Sequence, residues 1–248
     1  MSKLTGKVAL VTGGSKGIGA AISKALAKAG AVVVVNYASD KDGADKVVSA
    51  ITKAGGKAVA AKGDVTKESE AKALVDVAFS NFGSLDVVVN NSGVYEFSPI
   101  ENITEESFHR QFGINVLGLL LVTKAAVPHL KAGASIVNLS SVVSTATPPM
   151  SAVYSGTKGA VDSITGVLSK ELGARQIRVN SVNPGVIVTE GTTSSGVIGS
   201  DLEKFVTETT PLGRVGQPDE VADAVVFLAS DESRWVSGEH IRVAGGLR

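Results

Sequence analysis

The sequence predicts an α/β fold: a single doubly wound domain on a mostly parallel sheet of seven strands, with helices on both faces. Three observations carry this. Seven short valine-rich runs alternate with longer amphipathic stretches. The first two runs, 8–11 and 32–35, are apolar throughout rather than alternating, as expected of strands covered on both faces of a parallel sheet. No linker rich in Pro, Gly and Ser and no fixed-period repeat divides the 248 residues, so 1–248 reads as one domain.

In chain order, strands are expected at 8–11, 32–35, 57–61, 86–90, 135–139, 178–182 and 240–243. Helices are expected between them at 17–29, 41–54, 67–81, 104–129, 152–173 and 218–229. Lys-Ala-Gly at 28–30 and again at 53–55 marks helix C-terminal stops. The rhythm breaks after 182, where roughly thirty-five residues rich in Gly, Ser and Thr precede Pro218, well beyond the ~12–15 of an ordinary connection. A short helix is expected there at 201–208. Residues 190–212 read as a substrate-loop region, with a plain surface loop as the alternative.

Composition narrows the function classes. Lys and Arg number 24 and Asp and Glu 24, so the formal charge is zero and no basic surplus suits a nucleic-acid partner. Hydrophobic residues make up 44%, enough for a sizeable core. With no cysteine, disulfides, thiolate metal sites and a cysteine nucleophile are excluded. His109, His129 and His240 are scattered without metal-ligand spacing, and no metal is expected. The N-terminal MSKLTGKVALVTGG lacks the apolar core of a signal peptide. The best apolar stretch, 116–122, is interrupted by Gly118 and is too short to span a bilayer. A cytoplasmic protein with no membrane partner is expected.

The first strand runs into Thr12-Gly13-Gly14-Ser15-Lys16-Gly17-Ile18-Gly19 and then an alanine-rich helix. A strand, glycine loop and helix in succession bring a pyrophosphate against the backbone N–H groups of a helix N-terminus. The spacing is neither G-x-G-x-x-G nor a P-loop. A carboxylate at the end of the second strand would bond the ribose 2′-hydroxyl of NAD and repel the 2′-phosphate of NADP. Here that strand ends Asn36-Tyr37-Ala38-Ser39, with no carboxylate before Asp40, and Lys16 offers positive charge to a phosphate unless it is simply solvated. NADP(H) is therefore favoured, with NAD(H) the alternative.

Tyr154 and Lys158 lie four residues apart in a helical stretch, which puts both on one face. A free tyrosine has a pKa near ~10, and a neighbouring ammonium is expected to lower it toward useful acid/base chemistry. Ser141 follows the fifth strand, at the carboxyl end where ligands bind open α/β sheets, and its hydroxyl is placed to hold a reacting oxygen.

These motifs together resemble the short-chain dehydrogenase/reductase family in its single-domain Rossmann form. The resemblance spans essentially the whole chain: the Thr12–Gly19 turn, Asp64, Asn90-Asn91-Ser92-Gly93, Asn115, Ser141, Tyr154, Lys158, Asn183-Pro184-Gly185 and Ser237-Gly238 with Gly245-Gly246. It implies a nicotinamide-dependent oxidoreductase with Ser141, Tyr154, Lys158 and Asn115 as its catalytic set, Asn115 holding a water behind the lysine. It implies a cofactor site of Gly13, Ser15, Lys16, Gly17, Ile18 and Gly19, then Asn36, Tyr37, Ala38 and Ser39. Asp64 and Val65 would meet the adenine, and Asn91, Ser92 and Gly93 would line the cofactor. Pro184, Gly185, Ile187 and Thr189 would wrap the nicotinamide, and Lys158 would bond its ribose. Two positions depart from the family pattern: Ser92 replaces an alanine, and Ala244 replaces an aspartate near the C-terminus.

The expected substrate wall, Val142, Val143, Pro148, Pro149, Met150 and Val197, carries no charge, which suits a small neutral or apolar ketone or its alcohol. The sequence is also similar to 3-oxoacyl-carrier-protein reductases, which dock an acidic carrier through basic residues near the site; Arg175 stands in one such place. A sugar or polyol dehydrogenase is a further alternative, and a cofactor-binding redox sensor the non-enzymatic one. Gly156, Gly159 and Ala160 permit close helix approach, and the resemblance implies a homotetramer. Trp235, the sole tryptophan, is assigned to the core or a subunit interface.

Overall fold

The computed structural model describes residues 2–247. Its seven strands are β1 (Val8–Val11), β2 (Val32–Tyr37), β3 (Lys57–Lys62), β4 (Val87–Asn90), β5 (Ser135–Leu139), β6 (Arg178–Pro184) and β7 (His240–Val243). They form one sheet in the order β3-β2-β1-β4-β5-β6-β7, and every pairing is parallel. The chain winds outward from β1 to β3, then returns to pair β4 on the other side of β1. That reversal opens a crevice at the carboxyl ends of β1 and β4.

Continuous apolar strands are explained by two cores. Ala9, Val11, Val33, Val35, Val87, Val89, Val137 and Leu139 face one. Val8, Leu10, Val34, Val88 and Ile136, the intervening positions, face the other. The first is closed by α1 (Gly17–Lys28), α2 (Lys41–Lys53) and α10 (Pro218–Ala229), whose Ile22, Leu26, Val225 and Leu228 have no solvent exposure. The second is closed by α3 (Glu68–Phe82), α5 (Gly118–Ala126) and the C-terminal part of α7 (Ala152–Gly173). Gly30 and Gly55, the two expected stops, have φ of +98° and +85°, left-handed values that a Cβ disfavours.

The expected helix over 104–129 is divided. Thr104 caps α4 (Glu105–Phe112) by accepting the Ser107 N–H, and a π turn over Gly113–Leu117 separates α4 from α5. An added Cβ on Gly118 would lie 2.6 Å from a Val65 methyl, so this glycine lets the helix press against the turn after β3. The run Glu105–His129 is long and apolar enough by length and composition to cross a membrane, with mean hydropathy 1.4; the count of 116–122 alone missed this. It lies on the sheet here, with Leu119, Val122 and Ala126 buried and Lys124 paired to Glu68.

The long connection after β6 contains α8 (Glu190–Ser194) and α9 (Asp201–Thr209), and is tied back by a bridge between Ile187 and Gly216. Before α7, the short α6 (Val143–Ala146) ends in a loop where Thr147 and Met150 hold φ of 43° and 66°, costly for side chains with a Cβ. Trp235 is 98% exposed, which removes it from the core. It follows the last 3₁₀ turn.

Candidate active site

A cleft of about 520 Å³ runs along the carboxyl ends of the strands. All the expected cofactor residues line it, as do Ser141, Tyr154 and Lys158; Asn115 lies behind the wall. The cleft joins parts of the chain as distant as Gly13 and Thr189 because β1, β4, β5 and β6 are neighbours in the sheet.

The glycine turn is held by side chains from two other strands. Gly13 and Gly17 take φ of +59° and +52°. A Cβ on Gly19 would stand 2.2 Å from the Gly13 carbonyl oxygen, a contact no side chain survives. Asn91 donates to the carbonyls of Thr12 (2.9 Å) and Gly13 (3.0 Å). The buried Thr12 hydroxyl accepts the N–H groups of Asn91 (2.9 Å) and Ser92 (3.0 Å), fastening the end of β1 to the end of β4. Asn36 accepts the Gly13 N–H at 3.0 Å and donates to the carbonyls of Tyr37, Ala61 and Gly63. Its side-chain amide is thus engaged within the fold, holding the turn against β2 and β3.

The Gly17 N–H at the start of α1 donates to the Glu190 carboxylate at 3.0 Å. An internal anion therefore sits where the helix N-terminus presents its donor, the chemistry a pyrophosphate requires. Residues for a dinucleotide fit this cradle. At its far end Asp40 also lines the cleft, but its carboxylate caps α2 by accepting the Gly43 N–H at 3.0 Å. Exposed Lys16 and Ser39 flank that end. Asp64 accepts from the Thr66 hydroxyl (2.8 Å) and N–H (3.0 Å), bonds that lower its pKa and fix the turn carrying Val65.

At the other end, α7 places Tyr154 and Lys158 one turn apart, beside Ser141 at the tip of β5. The Lys158 ammonium donates to the Leu139 carbonyl at 2.8 Å and lies 5.8 Å from the centroid of the Tyr154 ring. Asn115 stands in the π turn and spans outward: its Oδ1 accepts the Val94 N–H at 2.8 Å, and its Nδ2 donates to the Val94 carbonyl and the Thr157 hydroxyl. A Cβ on Gly93 would lie 3.4 Å from Asn115 Oδ1 and 3.7 Å from Lys158 Nζ, so the two groups converge on that glycine. Asn115 therefore bonds the segment after β4 and α7, not its own helix.

The acid/base expectation needs correction. Burial pushes the Tyr154 phenol up to about 12, outweighing the opposing hydrogen bond from Ser141. Burial also pulls the Lys158 ammonium down to about 8, against the raising influence of Asp162. Desolvation disfavours both charged forms, and the ammonium does not lower the phenol here. The phenol is accordingly neutral near pH 7, the form that donates a proton.

Three cleft residues gained roles that sequence reasoning did not assign. Tyr95 and Phe97 face Tyr154 from the segment after β4, and Glu190 reaches back from α8. Two aromatics at a spacing of two, just after Asn91–Gly93 in a chain with 4% aromatic residues, were the available signal. Glu190 had none, since its partner is 173 positions away. Of the expected substrate wall, Val142, Val143 and Val197 line the cleft, whereas Pro148, Pro149 and Met150 do not. Arg175, the expected docking cation, is turned onto the carbonyls of Val127 (2.7 Å) and Leu130 (3.0 Å).

Comparison with known proteins gives consistent results. Residues 13–248 match the family model described as enoyl-(acyl carrier protein) reductase. The chain is 62% identical, over all of both chains, to an uncharacterized oxidoreductase of Methylorubrum extorquens. It is 43% identical to a short-chain dehydrogenase/reductase of Pestalotiopsis microspora, covering 98% of this chain and 96% of that one. Among solved structures it is similar to the angucycline C-6 ketoreductase LanV with bound NADP, with TM-score 0.93, 34% identity, and coverage of 99% of this chain and 97% of that one.

Proposed function

The chain belongs to the short-chain dehydrogenase/reductase family of NAD(P)-dependent oxidoreductases, and on that premise we propose that it is an NADPH-dependent reductase of uncharged ketones. The observation that carries this reading is the meeting of Ser141, Tyr154 and Lys158 in the same cleft as the glycine turn. A bound reduced nicotinamide would supply the hydride that a carbonyl carbon accepts. Ser141 holds the carbonyl oxygen, and the neutral Tyr154 phenol gives it a proton, leaving a secondary alcohol. Lys158 holds positive charge beside the phenolate so formed and would hold the nicotinamide ribose, while Asn115 positions the wall behind it. Pro184, Gly185, Ile187 and Thr189 would enclose the nicotinamide, and the loop 190–212 would cover the substrate.

NADPH is preferred over NADH on three grounds. β2 (Val32–Tyr37) carries no carboxylate, and Asp40 beyond it caps α2 by accepting the Gly43 N–H. Lys16 stands exposed beside that end. LanV, similar in fold and sequence, has NADP bound. The engagement of Arg175 by backbone carbonyls disfavours a carrier-protein dock, so free ketones are preferred over acyl-carrier substrates.

We further read the protein as a cytosolic homotetramer. Phe108, Leu117, Leu120 and Val167 are exposed apolar residues on α4, the π turn, α5 and α7, and Gly159 and Gly166 leave open space on α7. The reading is tested by mixing purified protein with NADPH or NADH and a panel of neutral ketones. Loss of absorbance at the reduced-nicotinamide band, faster with NADPH, is expected; no loss with any ketone sinks it. Light scattering should give the mass of four chains.

A further inference from the structure

Tyr95 and Phe97 stand two positions apart in the segment after β4, and the residue between them is turned the other way. Glu96 pairs with Arg110 of α4 at 3.6 Å, while the flanking rings both meet Tyr154. The ring centroids of Tyr95 and Phe97 lie 6.1 and 5.9 Å from that of Tyr154, inclined at 56° and 71°. They lie 6.2 Å from each other, at 55°. No two of the three rings are stacked on one another.

Both outer rings keep substantial solvent exposure, 38% for Tyr95 and 44% for Phe97, although they line a cleft. Exposed aromatic surface next to an acid/base phenol is contact area for the body of a substrate. The remaining wall there is aliphatic, from Val142, Val143 and Val197. Apart from Lys158 beside Tyr154, the carboxylate and ammonium groups lining the cleft, Lys16, Asp40, Asp64 and Glu190, belong to its dinucleotide half, and Glu96 pairs with Arg110.

An aliphatic body would gain only from burial of its area. A flat aromatic body gains in addition from edge-to-face and offset contacts with rings set at these distances and inclinations. We propose that the substrates are aromatic ketones whose ring lies against Tyr95 and Phe97 while the carbonyl oxygen reaches Ser141 and Tyr154. This rests on the ketone-reductase reading above and names its substrate class. The Tyr95 hydroxyl, 3.4 Å from the Ser195 hydroxyl at the end of α8, ties the wall to the loop that would cover such a ring.

The experiment uses a matched pair, β-tetralone and β-decalone, which differ only in whether the ring remote from the carbonyl is aromatic. The full-length protein and its Phe97→Leu variant are compared with NADPH, and binding of the two corresponding alcohols to the NADP⁺-loaded protein is measured by calorimetry. The wild type should favour the aromatic member, and Phe97→Leu should shrink that preference about fivefold to tenfold, with the loss of turnover falling more heavily on β-tetralone than on β-decalone. Equal handling of the pair by the wild type, or an unchanged preference in Phe97→Leu, overturns the proposal. An aromatic preference in alcohol binding that falls in Phe97→Leu, without turnover of any ketone, upholds the aromatic wall and removes the reductase reading instead.

Discussion

The Glu190 carboxylate accepts the Gly17 N–H at 3.0 Å, so the segment after β6 closes onto the N-terminus of α1 through an anion of the protein's own. Thr189 reinforces the closure, since a Cβ on Gly17 would lie 3.4 Å from its methyl group. A dinucleotide pyrophosphate and this carboxylate want the same donor.

Glu190→Ala should therefore bind NADPH more tightly, by about threefold to tenfold, because no internal anion has to be displaced. Enhancement of NADPH fluorescence on titration measures this. Unchanged or weaker binding would show that Glu190 does not compete.

Tyr154→Phe removes the proton donor and leaves the ring. Turnover should fall by a factor of about 10² to 10⁴, the usual contribution of a positioned general acid. NADPH affinity should stay within about twofold, as the glycine turn and β4 end are untouched. Full activity in this variant would refute the assignment of the acid.

The pH profile follows from Lys158 and Tyr154. With the phenol at about 12, the proton donor stays loaded across the neutral range, and the limiting group for reduction is the ammonium at about 8. The rate of ketone reduction should be flat below about pH 8 and fall above it. Stability runs oppositely: a lysine whose pKa drops from 10.5 to about 8 on folding penalises the fold fully below 8. The penalty, of order 3 kcal/mol, disappears as pH rises to the unfolded value. Lys158→Met should thus be inactive yet melt higher than wild type at pH 7, less the cost of the orphaned Leu139 carbonyl. The difference should shrink toward pH 10; a Tm gap independent of pH would contradict this origin.

Gly19→Ala places a methyl 2.2 Å from the Gly13 carbonyl oxygen, and that atom is backbone. The turn must open. NADPH affinity should drop more than about tenfold, with a loss of stability of about 1–3 kcal/mol typical of overpacking. Titration and thermal melting of the same preparation read both.

The sequence alone determined the layered fold, because valine runs that are apolar on both faces can be satisfied only inside a sheet covered on both sides. It also determined Ser141, Tyr154, Lys158 and the glycine turn as one site, since strand ends in an open α/β sheet share one crevice. Tertiary structure decided what depends on distant partners. Asn36 reads as a ligand residue, yet its amide is spent on Gly13, Ala61 and Gly63. Arg175 reads as a docking cation, yet two carbonyls hold it. The expected depression of the Tyr154 pKa assumed proximity to Lys158, whereas burial, which a linear spacing does not reveal, dominates both groups. Glu190 and the aromatic pair Tyr95 and Phe97 gained their places because the chain folds back, bringing together side chains that local sequence leaves far apart.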